Sequence, residues 1–424
     1  MAIWTNGVRR PPGSDDLFSG GGGSGWNTGL TDAFGRQRVS QSYTVFDSKQ
    51  LFGDPTLFWD TEVQGTGEIN HSTANAATTL SVTTSGDSVI RQTRQRFNYQ
   101  PGKSQFALFT GVMSTQADIK KRIGLFEGDA SSPYLDPENG VYFENDGTGM
   151  YVCVAKGGSA TRVAQADWNI DKLDGTTGSQ ITLDPSKAQI FFIDFEWLGV
   201  GRVRFGFFVK GTPHYCHEIL NANVVTSVYM STPNLPIRYQ LESSSGAGSL
   251  VHICCAIQSE SGVQPNGVDR AINTSLADTP FTHVDATTAN SIYPLLAIRL
   301  KSTHLGAFVK PTGVTAFIET QNSFRWALHF NPTYTFGTFN SLADSCIEYI
   351  IFDGTPSPIS VANSGTVVAS GYTSNEVSSL NINLDSALKL GAGIDGTRDV
   401  FMLSAASFIA AQDIHGGLSW REIQ

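Results

Sequence analysis

Short apolar or alternating runs recur along most of this chain, and each is closed within a few residues by Gly, Pro, Asn or Asp. Runs of about 4–8 residues with such boundaries are typical of β-strands. SQFALFTGVM, GMYVCVAK, AQIFFIDFEWL and FRWALHF are clear examples, whereas STQADIKKRI is at best a short helix. NDGTG at 145–149 and DGTTG at 174–178 read as turns. The pattern predicts an all-β protein with two β-sandwich (jelly-roll-like) domains.

The composition changes twice along the chain, which suggests three regions. Residues 1–40 contain Pro11-Pro12 and the glycine run 20–23, so we expect an extended Gly-rich N-terminal arm. SESGVQPNGVD at 259–269 marks a second change. We therefore predict a β-sandwich domain over 41–262 and a second β-rich domain over 263–424.

Aromatic side chains are spaced along the arm, although a plain linker would not need them. We interpret this region as an assembly arm whose aromatics dock on a neighbouring subunit. The alternative is a leader whose aromatics fold back on their own domain. The residues concerned are Trp4, Phe18, Trp26 and Phe34.

Charge is sparse, at 16% of residues against a typical value of about 25%. Such a chain hides much of its surface in an assembly or solvates it with Ser, Thr, Asn and Gly. The formal net charge of −10 argues against a nucleic-acid partner, which needs a basic footprint. We also expect no membrane contact, because no apolar run approaches about 18 residues and the N-terminus lacks the apolar core of a signal peptide. Five scattered cysteines predict buried free thiols.

The densest polar cluster is TPHYCHEI, with His214, Cys216, His217 and Glu218. Side chains alternate along a strand, so the two histidines should diverge. A cross-strand polar set is therefore favoured over a metal site. The acidic loop positions fit no EF-hand spacing: Asp171, Asp174 and Asp184. We expect no metal and no cofactor.

Asp194 and Glu196 lie two apart in FFIDFEWLG and should share one face of a strand. Laminarinase-like glycosidases carry Glu-x-Asp-x-Glu on such a strand, but the first position is Phe192 here. The retaining mechanism needs two carboxylates flanking the scissile bond, so a substitute such as Glu218 would be required. The alternative is that the acids pair with Arg202 or Arg204 of a following strand.

Two further sets of residues suggest binding. IRQTRQRFNYQPGKS places Arg91, Arg94, Arg96 and Lys103 around aromatics, which fits a subunit contact or a solvated strand better than a single-stranded nucleic-acid site. Tryptophans stack on sugars in lectins. Trp168, in the polar segment QADWNIDKLDG, is the best exposed candidate for a glycan contact, and Trp326 is the second.

Several long strings together resemble a family of virion structural proteins of tailed bacteriophages, abundant in environmental phage genomes. They are TDAFGRQRVSQSYTVFDSKQLF (31–52), VIRQTRQRFNYQPGKSQ (89–105), RVAQADWNIDKLDGTTGSQITLDPSKAQIFFIDFEWLGVGRVRFGF (162–207) and VYMSTPNLPIRYQLES (228–243). The resemblance covers roughly residues 30 to 260 and, more loosely, the C-terminal part. It implies a place in the particle as head decoration, collar or tail fibre, and it carries over no catalytic residue.

We therefore expect a non-enzymatic virion structural protein, made in the host cytoplasm and attached to the particle surface. Its partners would be other virion proteins and further copies of itself, with a trimer suggested by analogy. One alternative is an adhesin that binds host surface glycan through Trp168 or Trp326. A further alternative is a glycan-cleaving enzyme that uses Asp194, Glu196 and Glu218.

Overall fold

A computed structural model describes residues 3–5, 8–10, 33, 41–262, 267–274, 282–320, 322–373, 380–384 and 388–423. Within these ranges the chain is built of antiparallel strands and three short 3-10 turns, without an α-helix. The predicted all-β sandwich fold is confirmed. None of the described segments forms a helix that is long and apolar enough to cross a membrane.

The chain divides into two compact units. The first comprises Met1–Gln92 and Tyr99–Val263, and the second comprises Thr93–Asn98 and Gln264–Gln424. The hexapeptide Thr93–Asn98 thus belongs to the second unit, where the Arg94 guanidinium lies 2.7 Å from an Asp399 carboxylate oxygen.

The first unit contains a small N-terminal hairpin, fifteen further strands and one 3-10 turn at Gln165–Asp167. The strands are β1 (Ile3–Thr5), β2 (Val8–Arg10), β3 (Ser42–Lys49), β4 (Trp59–Gln64), β5 (Glu68–Ser72), β6 (Ala77–Val82), β7 (Ser88–Thr93), β8 (Gln105–Val112), β9 (Ile119–Gly128), β10 (Pro137–Asn145), β11 (Met150–Lys156), β12 (Ser159–Ala164), β13 (Gln189–Phe195), β14 (Val203–Val209), β15 (Thr212–Ile219), β16 (Ile237–Ser243) and β17 (Gly248–Glu260).

Two large sheets of this unit pack face to face. One has the order β12-β11-β10-β9-β16-β7-β4, and the other β15-β14-β13-β8-β17-β6-β5, with β3 added on β17. Aromatic rings fill the interface: the Phe143 ring of the first sheet lies 5.2–5.4 Å from those of Phe191, Phe205 and Phe207 of the second. Burial alternates along strands such as β8 and β17, as the period of two predicts.

The second unit contains eleven strands and two 3-10 turns, Ser302–His304 and Val361–Asn363. Its strands are β18 (Val268–Asn273), β19 (Val284–Ala286), β20 (Tyr293–Leu300), β21 (Phe308–Ile318), β22 (Phe324–Phe330), β23 (Asn340–Ser341), β24 (Ile347–Ile351), β25 (Thr366–Thr373), β26 (Leu380–Asn383), β27 (Val400–Ser407) and β28 (Gln412–Ile423).

These strands also form two sheets that share one core. A sheet of order β18-β28-β21-β26, with β19 also on β28, faces a sheet of order β23-β24-β20-β27-β22-β25. Buried side chains of both sheets, such as Leu295, Trp326, Leu403 and Trp420, belong to a single hydrophobic cluster. Burial of this apolar surface, at about 25 cal/mol per Å², drives the packing.

Three expectations about local structure can now be compared with the fold. STQADIKKRI is not helical, because residues from Ile119 onward form β9. The five cysteines are free and four of them are buried, as predicted. Of the proposed arm aromatics, Phe18, Trp26 and Phe34 lie outside the described residues, as does the side chain of Trp4.

Within the arm region, burial is described for Ala33, which contacts the rest of the first unit of its own chain. Ala33 is 1% exposed. Its backbone N–H donates to Ser104 Oγ at 3.4 Å, and its carbonyl accepts from Arg202 Nε at 2.9 Å. At this position, therefore, the chain contacts its own first unit, while the docking of the four arm aromatics stays a prediction.

Buried histidines should make the protein sensitive to mild acid. His252 lies between the two sheets of the first unit, 4.0 Å from the Tyr239 ring and 4.8 Å from the Trp59 ring. Burial, and secondarily the positive charge of Arg91, hold the pKa of His252 well below its ordinary value of 6.5. The folded state then binds fewer protons than the unfolded state below pH 6.5. We expect the contribution of His252 to the unfolding free energy to be constant above that pH and to fall by up to about 1.4 kcal/mol per pH unit below it.

Denaturant titrations of the full chain between pH 7.5 and 5 check this expectation, with the His252→Phe variant as the comparison. Phenylalanine fits among the aromatic neighbours and does not titrate. The variant should lose much of the acid-dependent destabilisation of the first unit. Identical pH slopes for the two proteins would contradict the assignment.

Candidate functional site

The outer face of the six-stranded sheet in the second unit carries exposed apolar side chains around a cavity. On β22, Phe324, Trp326 and Leu328 point into the core, so the alternate residues Arg325 and Ala327 point outward. Strands β25 and β27 flank β22 and extend this outer face.

A cavity of about 210 Å³ lies over these three strands and beside the 3-10 turn at Val361–Asn363. Three lining side chains are largely exposed: Val361 at 78%, Tyr372 at 73% and Val367 at 48%. The Tyr372 ring stacks on that of Phe408, with centroids 6.2 Å apart and ring planes 13° from parallel. We call these four side chains, Val361, Val367, Tyr372 and Phe408, together with Arg325, the Tyr372 surface.

Arg325 supplies the positive charge of the Tyr372 surface. It lies directly opposite Tyr372 in the β22–β25 register, and within the described ranges its guanidinium has neither an ion-pair nor a hydrogen-bond partner. Beneath it, His329 is 1% exposed, with Nε2 2.6 Å from Ser404 Oγ and Nδ1 2.8 Å from the Ser364 carbonyl oxygen. Burial lowers the pKa of His329, so the imidazole is neutral at pH 7 and Arg325 is the local cation.

This arrangement suits a ligand with an apolar ring face and an anionic group. Flat aromatic side chains pack against the C–H face of a sugar, and an unpaired guanidinium binds a carboxylate through two parallel hydrogen bonds. The cavity is smaller than the roughly 300–1,000 Å³ of pockets that enclose a drug-sized ligand. It therefore fits about one sugar ring rather than an enclosed chain.

Neither tryptophan predicted as a glycan contact is accessible. Trp168 is 3% exposed; its ring stacks 6.1 Å from Phe207, and Nε1 donates to the Val163 carbonyl. Trp326 is 2% exposed and points into the core of the second unit. The polar sequence around Trp168 was misleading because the tryptophan anchors its loop to the sandwich.

Of the two acids of FFIDFEWLG, Asp194 pairs with the Arg204 side chain as the pairing alternative predicted, whereas Glu196 is bound by the Arg202 backbone. Asp194 is 0% exposed and accepts from Arg204 Nη2 at 2.5 Å, Ser104 Oγ at 2.6 Å and Tyr215 Oη at 2.9 Å. A carboxylate enclosed in this way does not contact a polysaccharide. Glu196 Oε1 accepts from the Arg202 backbone N–H, and Glu218 Oε2 lies 3.4 Å from Arg202 Nη1.

TPHYCHEI forms β15, but a bulge changes its predicted alternation. The register shifts so that Phe205 lies opposite His217 while Gly206 lies opposite Tyr215, and Cys216 is the extra residue. His214 and His217 consequently lie opposite the core-facing residues Phe207 and Phe205, so the expectation that the histidines diverge is wrong.

Residues of the predicted basic group and the acidic loop residues also form ion pairs and hydrogen bonds within the fold. Arg91 is fully buried against Asp54 and the Trp59 ring, and Lys103 Nζ donates to the Gly262 carbonyl at 2.6 Å. The acidic loop residues Asp171, Asp174 and Asp184 each accept a hydrogen bond from a backbone N–H of their own turn. Asp174 also accepts from the Thr176 hydroxyl, and Asp184 from the Ser186 hydroxyl. These residues shape turns and strands rather than an exposed patch.

Tyr372 and Phe408 were not singled out from the sequence. Tyr372 ends TVVASGY, and Phe408 lies within DVFMLSAASFI, which reads as one continuous apolar strand. β27 in fact ends at Ser407, so Phe408 falls just beyond the buried segment. The signal that was available is the polar and small sequence SGY, which is typical of an edge strand.

No protein-family model matches the chain, and no curated protein matches it. Several solved structures align with about half of it. An endo-β-1,4-glucuronan lyase from the fungus Trichoderma reesei aligns over 51% of this chain and 95% of its own, with 12% identity and a TM-score of 0.33. A Bacillus licheniformis β-glucanase covers 51% and 98%, with 11% identity and a TM-score of 0.34. A legume lectin-like domain from Entamoeba histolytica covers 51% and 97%, with 12% identity and a TM-score of 0.32. Similarities this low assign neither an activity nor a ligand to the chain.

Proposed function

We propose that this chain is a non-enzymatic structural protein on the surface of a tailed-bacteriophage particle, and that its second unit binds an acidic glycan at the Tyr372 surface. The virion role is supported by the strings that resemble the phage family and by the low content of charged residues. The location as head decoration, collar or tail fibre and the trimeric state stay predictions. A mass measurement on the purified protein tests the trimer.

One observation carries the binding role: Tyr372, stacked on Phe408 and exposed to solvent, lies opposite Arg325, whose guanidinium has no ion-pair partner in the described part of the chain. Contiguous exposed apolar patches on soluble proteins are typical of interaction sites. The Tyr372 surface takes over the role that Trp168 and Trp326 had in the adhesin hypothesis.

The binding role predicts retention of the full chain on immobilised polysaccharides that contain uronic acids, with weaker retention on neutral ones. Tyr372→Ala removes the stacking platform and should weaken binding at least about tenfold, which corresponds to about 1.4 kcal/mol. Arg325→Gln should weaken binding to the acidic polysaccharide about 10–100-fold, because a hydrogen bond to a charged group contributes about 1.5–3 kcal/mol. Affinities are measured by surface plasmon resonance.

Tyr43→Ala is the matched control, because Tyr43 is 48% exposed but lies on β3 of the first unit. Its affinity should equal that of the wild-type chain. Equal losses for Tyr43→Ala and Tyr372→Ala, or no retention on any polysaccharide, would reject the glycan role. Concentration-dependent self-association that Tyr372→Ala abolishes would instead assign the surface to a subunit contact.

A further inference from the structure

Three side chains with metal-binding groups meet on the outer face of the other sheet of the second unit. His283 precedes β19, Asp285 lies within it, and Asp413 lies on β28. One ligand atom from each falls within 4.8 Å of the other two. His283 Nε2 is 3.0 Å from Asp285 Oδ1 and 3.8 Å from Asp413 Oδ1.

The strand register creates this juxtaposition. Asp285 lies directly opposite Asp413 in the β19–β28 pair, while their neighbours Val284 and Ile414 are fully buried. The two carboxylates therefore share the outer face. The segment before β19 is held by Gly354, whose N–H donates to the His283 carbonyl at 2.9 Å and whose carbonyl accepts from Asp285 N–H at 2.7 Å.

Two carboxylates placed directly opposite each other repel and destabilise a sheet. Among the residues with described coordinates, neither Asp285 nor Asp413 has a Lys or Arg partner, and His283 is the basic side chain next to both carboxylates. The spacing has room for a bound ion. Ligands about 2.1 Å from zinc in a tetrahedral site lie about 3.4 Å apart, and 3.0 and 3.8 Å bracket this value.

We propose that His283, Asp285 and Asp413 bind a divalent transition metal ion of the zinc class. One imidazole with two carboxylates matches the ligand preference of such ions better than that of calcium or magnesium, which favour all-oxygen sites. Three protein ligands leave one coordination position for water or an incoming ligand. His415 borders the site, with its ring 5.9 Å from that of His283 and its Nε2 2.9 Å from Glu319 Oε1.

Zinc binding to the full, chelator-treated chain tests the assignment by isothermal titration calorimetry. We expect one zinc ion per chain, with affinity reduced at least tenfold in His283→Gln and in Asp413→Asn. His304→Gln is the control, because His304 is not buried and its ring contacts Thr303 in a separate 3-10 turn of the same unit. Its zinc affinity should be unchanged.

Thermal unfolding provides a second readout that does not depend on the calorimetric signal. Zinc should raise the midpoint of the second unit in the wild-type chain and in His304→Gln, but not in Asp413→Asn. Without metal, Asp413→Asn should unfold at the same or a higher temperature than wild type, because carboxylate repulsion is relieved. If Asp413→Asn is less stable than wild type without metal, and zinc does not bind the wild-type chain, His283 acts as a simple ion-pair partner and the proposal fails. Calcium binding that survives His283→Gln would also overturn it.

Discussion

Asp194→Asn is expected to lower the unfolding free energy of the first unit by about 3–5 kcal/mol, the typical cost of removing one partner of a buried ion pair. The carboxylate is fully buried and accepts three hydrogen bonds, from Arg204, Ser104 and Tyr215. Asparagine keeps the shape but removes the negative charge that faces the Arg204 guanidinium, itself 1% exposed, across the Asp194–Arg204 ion pair. Hydrogen exchange followed by mass spectrometry across a denaturant series reports the loss for each unit separately.

Two comparison variants separate a structural role from a catalytic one. Glu196→Gln should change stability little, because Glu196 is only partly buried and its Oε1 accepts from a backbone N–H, which an amide oxygen also does. The double variant Asp194→Leu with Arg204→Met removes both charges and should recover most of the lost stability. Unchanged stability of Asp194→Asn, together with loss of a polysaccharide-cleaving activity, would contradict the account and restore the enzyme hypothesis.

Trp326→Ala is expected to destabilise the second unit by about 3–5 kcal/mol, because the indole is 2% exposed and its removal leaves a large cavity in the core. The same exchange measurement checks this value. Below the temperature at which the variant unfolds, its glycan affinity should stay within about twofold of wild type. Trp326 borders the cavity, but its indole is 2% exposed and packs in the core, on the opposite side of β22 from Arg325 and Ala327.

Trp326→Phe provides the milder control and should recover part of the lost stability. The opposite pattern, in which Trp326→Ala keeps the stability of the second unit but loses glycan binding, would show that the tryptophan contacts ligand. That result would favour the original adhesin hypothesis over the assignment to Tyr372 and Phe408.

The sequence predicted the fold class well because strand signals are local. The runs that became β8, β11, β13 and β22 alternate or stay apolar over the length of one strand and end at turn residues. The hairpin that pairs Asp194 with Arg204 was also predictable, since the two strands are consecutive and separated by a Gly-rich turn.

The candidate sites were harder to predict because they depend on which strands become neighbours. Asp285 and Asp413 are far apart in sequence and meet only through the β19–β28 register. The exposure of Trp168 was misjudged because its polar loop is anchored by that same side chain. In β15 a single bulge places His214 and His217 on one face, and no periodic pattern in the sequence predicts such a bulge.

The most direct test of the central claim is to ask whether this chain is part of the assembled particle. Phage particles are purified on a density gradient, washed in high salt, analysed by mass spectrometry and labelled with a gold-tagged antibody against the folded chain. We predict that the chain stays with intact particles and that the gold decorates their surface at regular positions. A chain that is abundant in the lysate but absent from the washed particles would contradict the proposal.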